Sequence, residues 1–253
     1  MMRPFNYFLC ALALTAIAGN AGAQSEPALP AQDWSFRGPF GQYDLAAARR
    51  GYQVYAESCA ACHSLQWLHY RDLEGIGLTQ DDIKALTAKI NLPGAPGADG
   101  KPVLIEATPA SVFAAPFADD DAARAAMNGA LPPDLSLAAN ALPNGPDYIV
   151  ALLTGYRDAP AGVKLADGMN YNLYFPGHQI AMPPPLTEGQ ITYGDGTVST
   201  VAQNASDVAV FLAWSANPEM AQRKHLGFRA VAYFLAMAGV AYAFQRRIWA
   251  KVK

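Results

Sequence analysis

Apolar residues recur at helical spacing in several separate stretches of this chain. Leu45, Ala48, Tyr52, Tyr55 and Cys59 fall three or four residues apart, which predicts a helix capped by Asp44 with Cys59 on its apolar face. A second helix is expected from Thr79, where Asp82 three positions on makes a capping box and Ile83, Leu86 and Ile90 form the stripe. Residues 119–128 read as a short helix with Asp119, Asp120 and Asp121 in its first turns and Gly129 as its stop. Residues 147–154 read as another, ended by Gly155. A last helix is capped by Ser206, carries Val208, Phe211, Leu212 and Trp214, and is cut off by Pro218.

The stretches between lack that period. Residues 66–77 read as a loop, and residues 91–102, dense in Pro and Gly, read as irregular. Residues 168–185 read as an ordered loop, and residues 193–197 as a turn joining two short strands. The whole pattern is mainly α.

Two apolar runs at the ends change the picture. Residues 1–23 have a basic start at Arg3, an apolar core over 7–19 and the small residues Ala21-Gly22-Ala23, the marks of a cleaved secretory signal. Residues 226–245 reach about 30 Å as a helix, enough to cross a bilayer. Within them 230–244 carry no charge, and Arg246, Arg247, Lys251 and Lys253 follow directly, which predicts one C-terminal membrane span with a basic cytoplasmic tail. The expected organisation is a signal peptide at 1–23, a periplasmic domain at 24–219 and an anchor with its tail at 220–253, on a bacterial inner membrane.

The formal net charge of −3 conceals a division. All 21 acidic residues lie within 24–219 against 10 of the 18 Lys and Arg, and no acid follows Glu219. An acidic body suits a basic protein partner and repels the phosphates of nucleic acid.

Cys59-Ala60-Ala61-Cys62-His63 carries the candidate chemistry. Two thiols three apart, followed at once by an imidazole, are the pattern of a covalent haem c attachment: the thiols add to the vinyl groups and His63 ligates the iron. Export agrees with this, because such haem is attached outside the cytoplasm. A thioredoxin-like redox pair needs a βαβ context, whereas the segment upstream is helical. Cys10 leaves with the signal, so both remaining thiols are committed to haem and no disulfide framework is expected.

For the other axial position the thioethers of Met127, Met169, Met182 and Met220 compete with the imidazoles of His69, His178 and His225. Met127 suits core packing, His69 lies too near His63, and His225 adjoins the anchor. Met182 precedes Pro183, Pro184 and Pro185, which fix the backbone around it. His178 stands four residues earlier in the same loop, so the residues alone leave both in contention.

The chain resembles the cytochrome c1 family, the haem subunit of the quinol–cytochrome c reductase (bc1) complex. The resemblance is carried by Cys59-Ala-Ala-Cys-His-Ser64, by 123–136 with its Pro132-Pro133-Asp134-Leu135-Ser136, and by 147–156. It continues through Tyr171-Asn-Leu-Tyr-Phe-Pro-Gly177, Ile180-Ala-Met-Pro-Pro-Pro-Leu186 and the single C-terminal span. It implies a class I cytochrome c-like haem domain with loop insertions plus one transmembrane helix. It implies one covalent haem c on Cys59 and Cys62, with His63 as proximal and Met182 as distal ligand. Pro133 is implied to line the proximal side, with its carbonyl accepting the His63 Nδ1–H, and Tyr148 to lie beside the haem.

The function implied is electron transfer from the Rieske iron–sulfur protein to a cytochrome c, in a membrane complex with cytochrome b. The chain is then a subunit of an oxidoreductase and itself a carrier that makes no bonds. A stand-alone anchored carrier, or a peroxidase or gas-binding protein with an open sixth position, are the competing classes. Acidic side chains such as Asp119, Asp120 and Asp121 are candidates to steer a basic cytochrome c. Family members often carry a basic cluster where this chain has Leu137-Ala-Ala-Asn-Ala-Leu142, which leaves Arg124 as the substitute partner for a propionate.

Overall fold

The computed structural model describes residues 27–97, 100 and 102–252, and the expected signal at 1–23, with Cys10, lies outside them. Asp44 starts the first helix by accepting the amides of Ala46 and Ala47, both at 3.0 Å. Helix α1 (Leu45–Val54) follows and widens into a π-helical turn, Tyr55–Cys59, closed by the Ala60 amide on the Tyr55 carbonyl at 2.9 Å. The buried face of α1 is Ala47, Ala48, Gly51 and Val54, while Leu45, expected in the stripe, is 49% exposed. Leu45, at the start of α1, thus points away from the core while Ala47 and Ala48 enter it.

The partner of α1 is α6 (Val201–Ala216), whose buried residues include Val208, Phe211, Leu212 and Trp214. Its cap is Thr200, extended and accepting the Gln203 amide at 3.0 Å, so the helix is capped six residues before Ser206. Ser206 lies inside the helix, where its amide belongs to the helical ladder and its side chain has no terminus to cap. The two helices meet at Gly51, where a Cβ would stand 2.0 Å from the Asp207 carbonyl oxygen; only a glycine permits this approach. Beside it the Arg50 guanidinium grips the buried Asp207 carboxylate through Nε at 2.8 Å and Nη2 at 2.9 Å, and reaches Asp195 at 3.0 Å. Tyr52, Tyr55, Phe113, Phe211 and Trp214 pack as an aromatic centre around this crossing.

The elements around it depart from the sequence expectation in several places. Residues 66–77 are not wholly loop: Tyr70–Ile76 is a 3-10 helix that buries Tyr70, Leu73 and Ile76, and three residues per turn is a period that a 3.6-residue search misses. Residues 91–102 enter an antiparallel hairpin, β1 (Asn91–Pro96) with β2 (Pro102–Glu106), in spite of their prolines. The register shifts between Pro93 and Pro96, and a two-stranded ribbon is all edge, where a missing amide is tolerated. Helix α2 (Gln80–Thr87) has the Thr79–Asp82 capping box, and α3 (Asp120–Ala126) is capped by Asp119 and closed through Asn128 and Gly129 at positive φ.

Helices α4 (Ala138–Ala141) and α5 (Gly145–Thr154) both pack on α6. Asp147 in the first turn of α5 accepts the Gln32 amide at 2.9 Å and the Trp34 indole at 2.8 Å, and pairs with Arg37, tying the N-terminal segment down. Residues 168–185 are largely irregular but include β3 (Asn170–Tyr171) paired with β4 (Gln179–Ile180). Residues 193–197 form a turn with no strands flanking it. Last comes α7 (Met220–Trp249), 30 residues with none buried, whose most apolar stretch has a mean hydropathy of 1.5 and is long enough to cross a membrane.

Candidate functional site

The π-helical turn delivers Cys59 at the end of α1, and the chain folds back at once: the amides of Cys62 and His63 both donate to the Cys59 carbonyl, at 3.0 and 2.9 Å. Both thiols are half-buried and free. Burial, and then the neighbouring Cys62, push the Cys59 thiol up to about 12, so at neutral pH it stays protonated.

His63 is held from two sides. Its carbonyl accepts the hydroxyl of the buried Tyr55 at 2.9 Å, and its ring Nδ1 lies 2.8 Å from the carbonyl oxygen of Pro133. A carbonyl can only accept, so Nδ1 carries the proton and Nε2 keeps a free lone pair. Burial holds the imidazole below its ordinary value, against the Pro133 bond and the Asp134 charge, which favour protonation. The neutral ring is the form that binds a metal.

Asp134 makes this geometry rigid. One carboxylate oxygen accepts the Ser64 hydroxyl at 2.7 Å and the Gln66 amide at 2.8 Å; the other accepts the Ser136 amide at 2.9 Å. The Leu135 amide returns a bond to the Ser64 carbonyl at 2.9 Å. The residues just after His63 are therefore laced to those just after Pro133. The sequence reading did not single out Asp134; the Asp-x-Ser pattern, in which an aspartate bonds the amide two residues on, is the signal that points to it.

A second unit holds Met182. Tyr156, just past α5, donates its hydroxyl to the Met182 carbonyl at 3.0 Å, and the Asn170 amide adds a longer bond at 3.4 Å. Burial raises the Tyr156 hydroxyl well above its ordinary value, so it remains a donor. Tyr148 stands half-buried two turns earlier on α5. His178, the rival of Met182, stacks on Tyr171 with ring centroids 5.5 Å apart, places Nδ1 3.2 Å from the Asn172 carbonyl, and has a left-handed backbone (φ 59). Arg124 is exposed and bonds weakly to the Gly129 carbonyl at 3.4 Å, and Asp119 spends one carboxylate oxygen on the Ala122 amide at 2.8 Å.

The donor set suits a covalently attached iron porphyrin: two thiols on one turn, an imidazole aimed by its own hydrogen bond, and a thioether on a braced, proline-stiffened loop. Among the described residues no group of three or more His, Cys, Asp or Glu is placed to hold a bare metal ion.

Comparison with known proteins agrees with this chemistry. The family model described as the Cytochrome C1 family matches residues 34–252. The chain is 42% identical over 243 residues to "Cytochrome c1 1, heme protein, mitochondrial" of Arabidopsis thaliana, covering 96% of this chain and 79% of that protein. It is 42% identical over 255 residues to "Cytochrome c1" of Rhodospirillum rubrum, covering 94% of each. It is 40% identical over 243 residues to "Cytochrome b/c1" of Bradyrhizobium diazoefficiens, covering 87% of this chain and 35% of that protein.

Proposed function

The chain belongs to the cytochrome c1 family, and from that premise we propose that it is the haem-bearing electron-transfer subunit of a quinol–cytochrome c oxidoreductase of the bc1 type. In this reading it takes one electron from a Rieske iron–sulfur protein and gives it to a cytochrome c, and makes or breaks no bond in a substrate. The observation that carries it is the His63–Pro133 bond within the Cys-x-x-Cys-His turn, which leaves Nε2 as the free imidazole nitrogen.

When bound, haem c supplies a one-electron couple whose potential is raised by a methionine ligand. Cys59 and Cys62 would tether it as thioethers. His63 would ligate through Nε2, with the Pro133 carbonyl orienting the ring and raising its basicity. Met182 would supply the thioether ligand, and Tyr156 and Asn170 hold its backbone. Tyr148 would line the haem site. The raised Cys59 thiol argues against the rival reading as a thiol oxidoreductase, whose attacking cysteine has a depressed value.

The partners follow. A relative whose printed name joins b and c1 is matched over only 35% of its length, which supports cytochrome b as the neighbour in the membrane. Helix α7 is the single anchor, with Arg246, Arg247, Lys251 and Lys253 on the cytoplasmic side and the haem domain on the periplasmic side after cleavage of 1–23. The acidic body attracts a basic cytochrome c.

The test is gentle purification from membranes. The expected result is a band that keeps haem on a denaturing gel, accompanied by a b-type cytochrome and an iron–sulfur protein, with a near-infrared methionine–iron band lost in Met182→Leu. A colourless denatured band defeats the haem assignment. A coloured chain that purifies alone defeats the bc1 assignment and favours a stand-alone carrier.

A further inference from the structure

Phe40 is a large apolar side chain that the fold leaves in the open, 79% exposed, yet it is not loose. Its ring stacks on Phe228 of α7, with centroids 5.0 Å apart and planes 9° from parallel. The turn beneath it bends at Gly38, whose φ of 74° suits a residue without a side chain. Lys224, one helical turn before Phe228, fastens the same turn by donating to the carbonyls of Phe36 at 3.0 Å and Gly41 at 2.8 Å. On the other side Phe36 packs against Trp34 and Tyr43, with centroids at 5.5 and 5.0 Å. An exposed apolar ring has thus been given a fixed position relative to the anchor helix.

That position has a depth. The 20 residues 226–245 match the roughly 30 Å of hydrocarbon, so Phe228 lies two residues, about 3 Å along the helix axis, inside the outer end of the span. That puts Phe228 and the ring stacked on it at the boundary between the acyl chains and the headgroup layer, which is roughly 5–7 Å thick on each side. Exposed Arg229 sits at the same level of the helix, where its long side chain reaches toward the lipid phosphates. Lys224 is already occupied by the two carbonyls.

We propose that the 38–40 turn is a second membrane foot of the periplasmic domain, with Phe40 resting at the headgroup–acyl boundary of the outer leaflet beside Phe228. The foot lies against the helix and broadens its footprint at the membrane surface on that side, which resists leaning of the domain in that direction. The proposal rests on α7 being the anchor, and the experiment separates the two.

The mature chain has its thiols in thioethers, so a single nitroxide can be attached at Pro39→Cys, which keeps the Phe40 ring. Val198→Cys, at a residue 75% exposed, serves as the aqueous reference and Leu235→Cys as the mid-span reference. The labelled full chain is measured within its native membrane complex and in vesicles of phosphatidylethanolamine and phosphatidylglycerol. The expected result is that the label at 39 meets a water-soluble nickel chelate severalfold less often than the label at 198, and meets oxygen at a rate between those at 198 and 235. Adding Phe40→Ser to Pro39→Cys should return the label toward the aqueous value. A label at 39 as accessible to nickel as that at 198, with 235 deep, overturns the foot and leaves the anchor standing. Nickel access at 235 overturns both. Low access to nickel and oxygen together in the complex, with lipid contact only in vesicles, means that a protein subunit covers the turn and also overturns the proposal.

Discussion

Tyr156→Phe isolates one bond that holds Met182, the proposed distal ligand. The hydroxyl donates to the Met182 carbonyl at 3.0 Å, and its loss leaves the Asn170 amide at 3.4 Å as the remaining donor. The ring stays, so packing is nearly unchanged and no cavity forms. A bond of this kind has a net worth of about 1 kcal/mol, and the carbonyl is not orphaned. At 1.4 kcal/mol per factor of ten, the displaced state of the Met182 loop should become about fivefold more populated. Carbon monoxide binds only when the thioether has left, so its binding rate to the reduced protein should rise by the same factor. The position of the methionine–iron band should not move, because the ligand is unchanged. Tyr193→Phe, which removes a tyrosine hydroxyl donor to Asn204 instead of one to Met182, is the control and should leave the rate alone. A Tyr156→Phe rate equal to that of the unsubstituted protein, together with a lowered Tm, would show that Tyr156 stabilises the fold without holding the ligand loop.

Three further outcomes follow from the same contacts. Gly51→Ala drives a methyl to 2.0 Å from the Asp207 carbonyl, and two helix backbones cannot yield as a side chain does. The cost should reach about 3 kcal/mol, the top of the ordinary overpacking range, and lower Tm by roughly 6–12 °C in calorimetry. Asp134→Asn keeps one acceptor oxygen, so either the Ser64 and Gln66 pair or the Ser136 amide loses its partner; a loss of about 1.5–3 kcal/mol and a Tm lower by roughly 3–12 °C are expected, with covalent haem retained on the gel. Asp195 is held at about 2 by its bonds from Thr197 and then by Arg50. The ionised form is favoured in the folded state, so the tether of the 193–197 turn is complete above about pH 4 and lost as pH falls through about 2, which amide exchange of Thr197 should follow. Loosening of that turn already at pH 5 would contradict the assignment.

What could be read directly in the chain is whatever local chemistry dictates. Asp44, Thr79 and Asp119 cap helices because a short polar side chain reaches its own amides two or three residues on. The Cys59–His63 spacing and the long uncharged run before Arg246 are likewise complete within a few consecutive residues. Ser206 misled because capping potential is common, and the better-placed Thr200 starts the helix earlier. The hairpin of 91–106 escaped notice because its prolines forbid only the centre of a sheet, and strand pairing is a matter between distant residues.

The rest was decided by tertiary structure. Nothing near His63 in sequence says that a carbonyl 70 residues away fixes its proton on Nδ1, or that Asp134 laces the two segments together. No local pattern says that Tyr156 braces Met182, that Gly51 must be bare because Asp207 passes above it, or that Phe40 is stacked on α7. Each is a contact across a long loop whose closure entropy is met only when the whole core forms. The sequence alone therefore determined which atoms are available to hold a haem and a membrane. The packing of α1 on α6 and the laced loops determined where those atoms point, since direction is a property of the assembled core and not of any short segment.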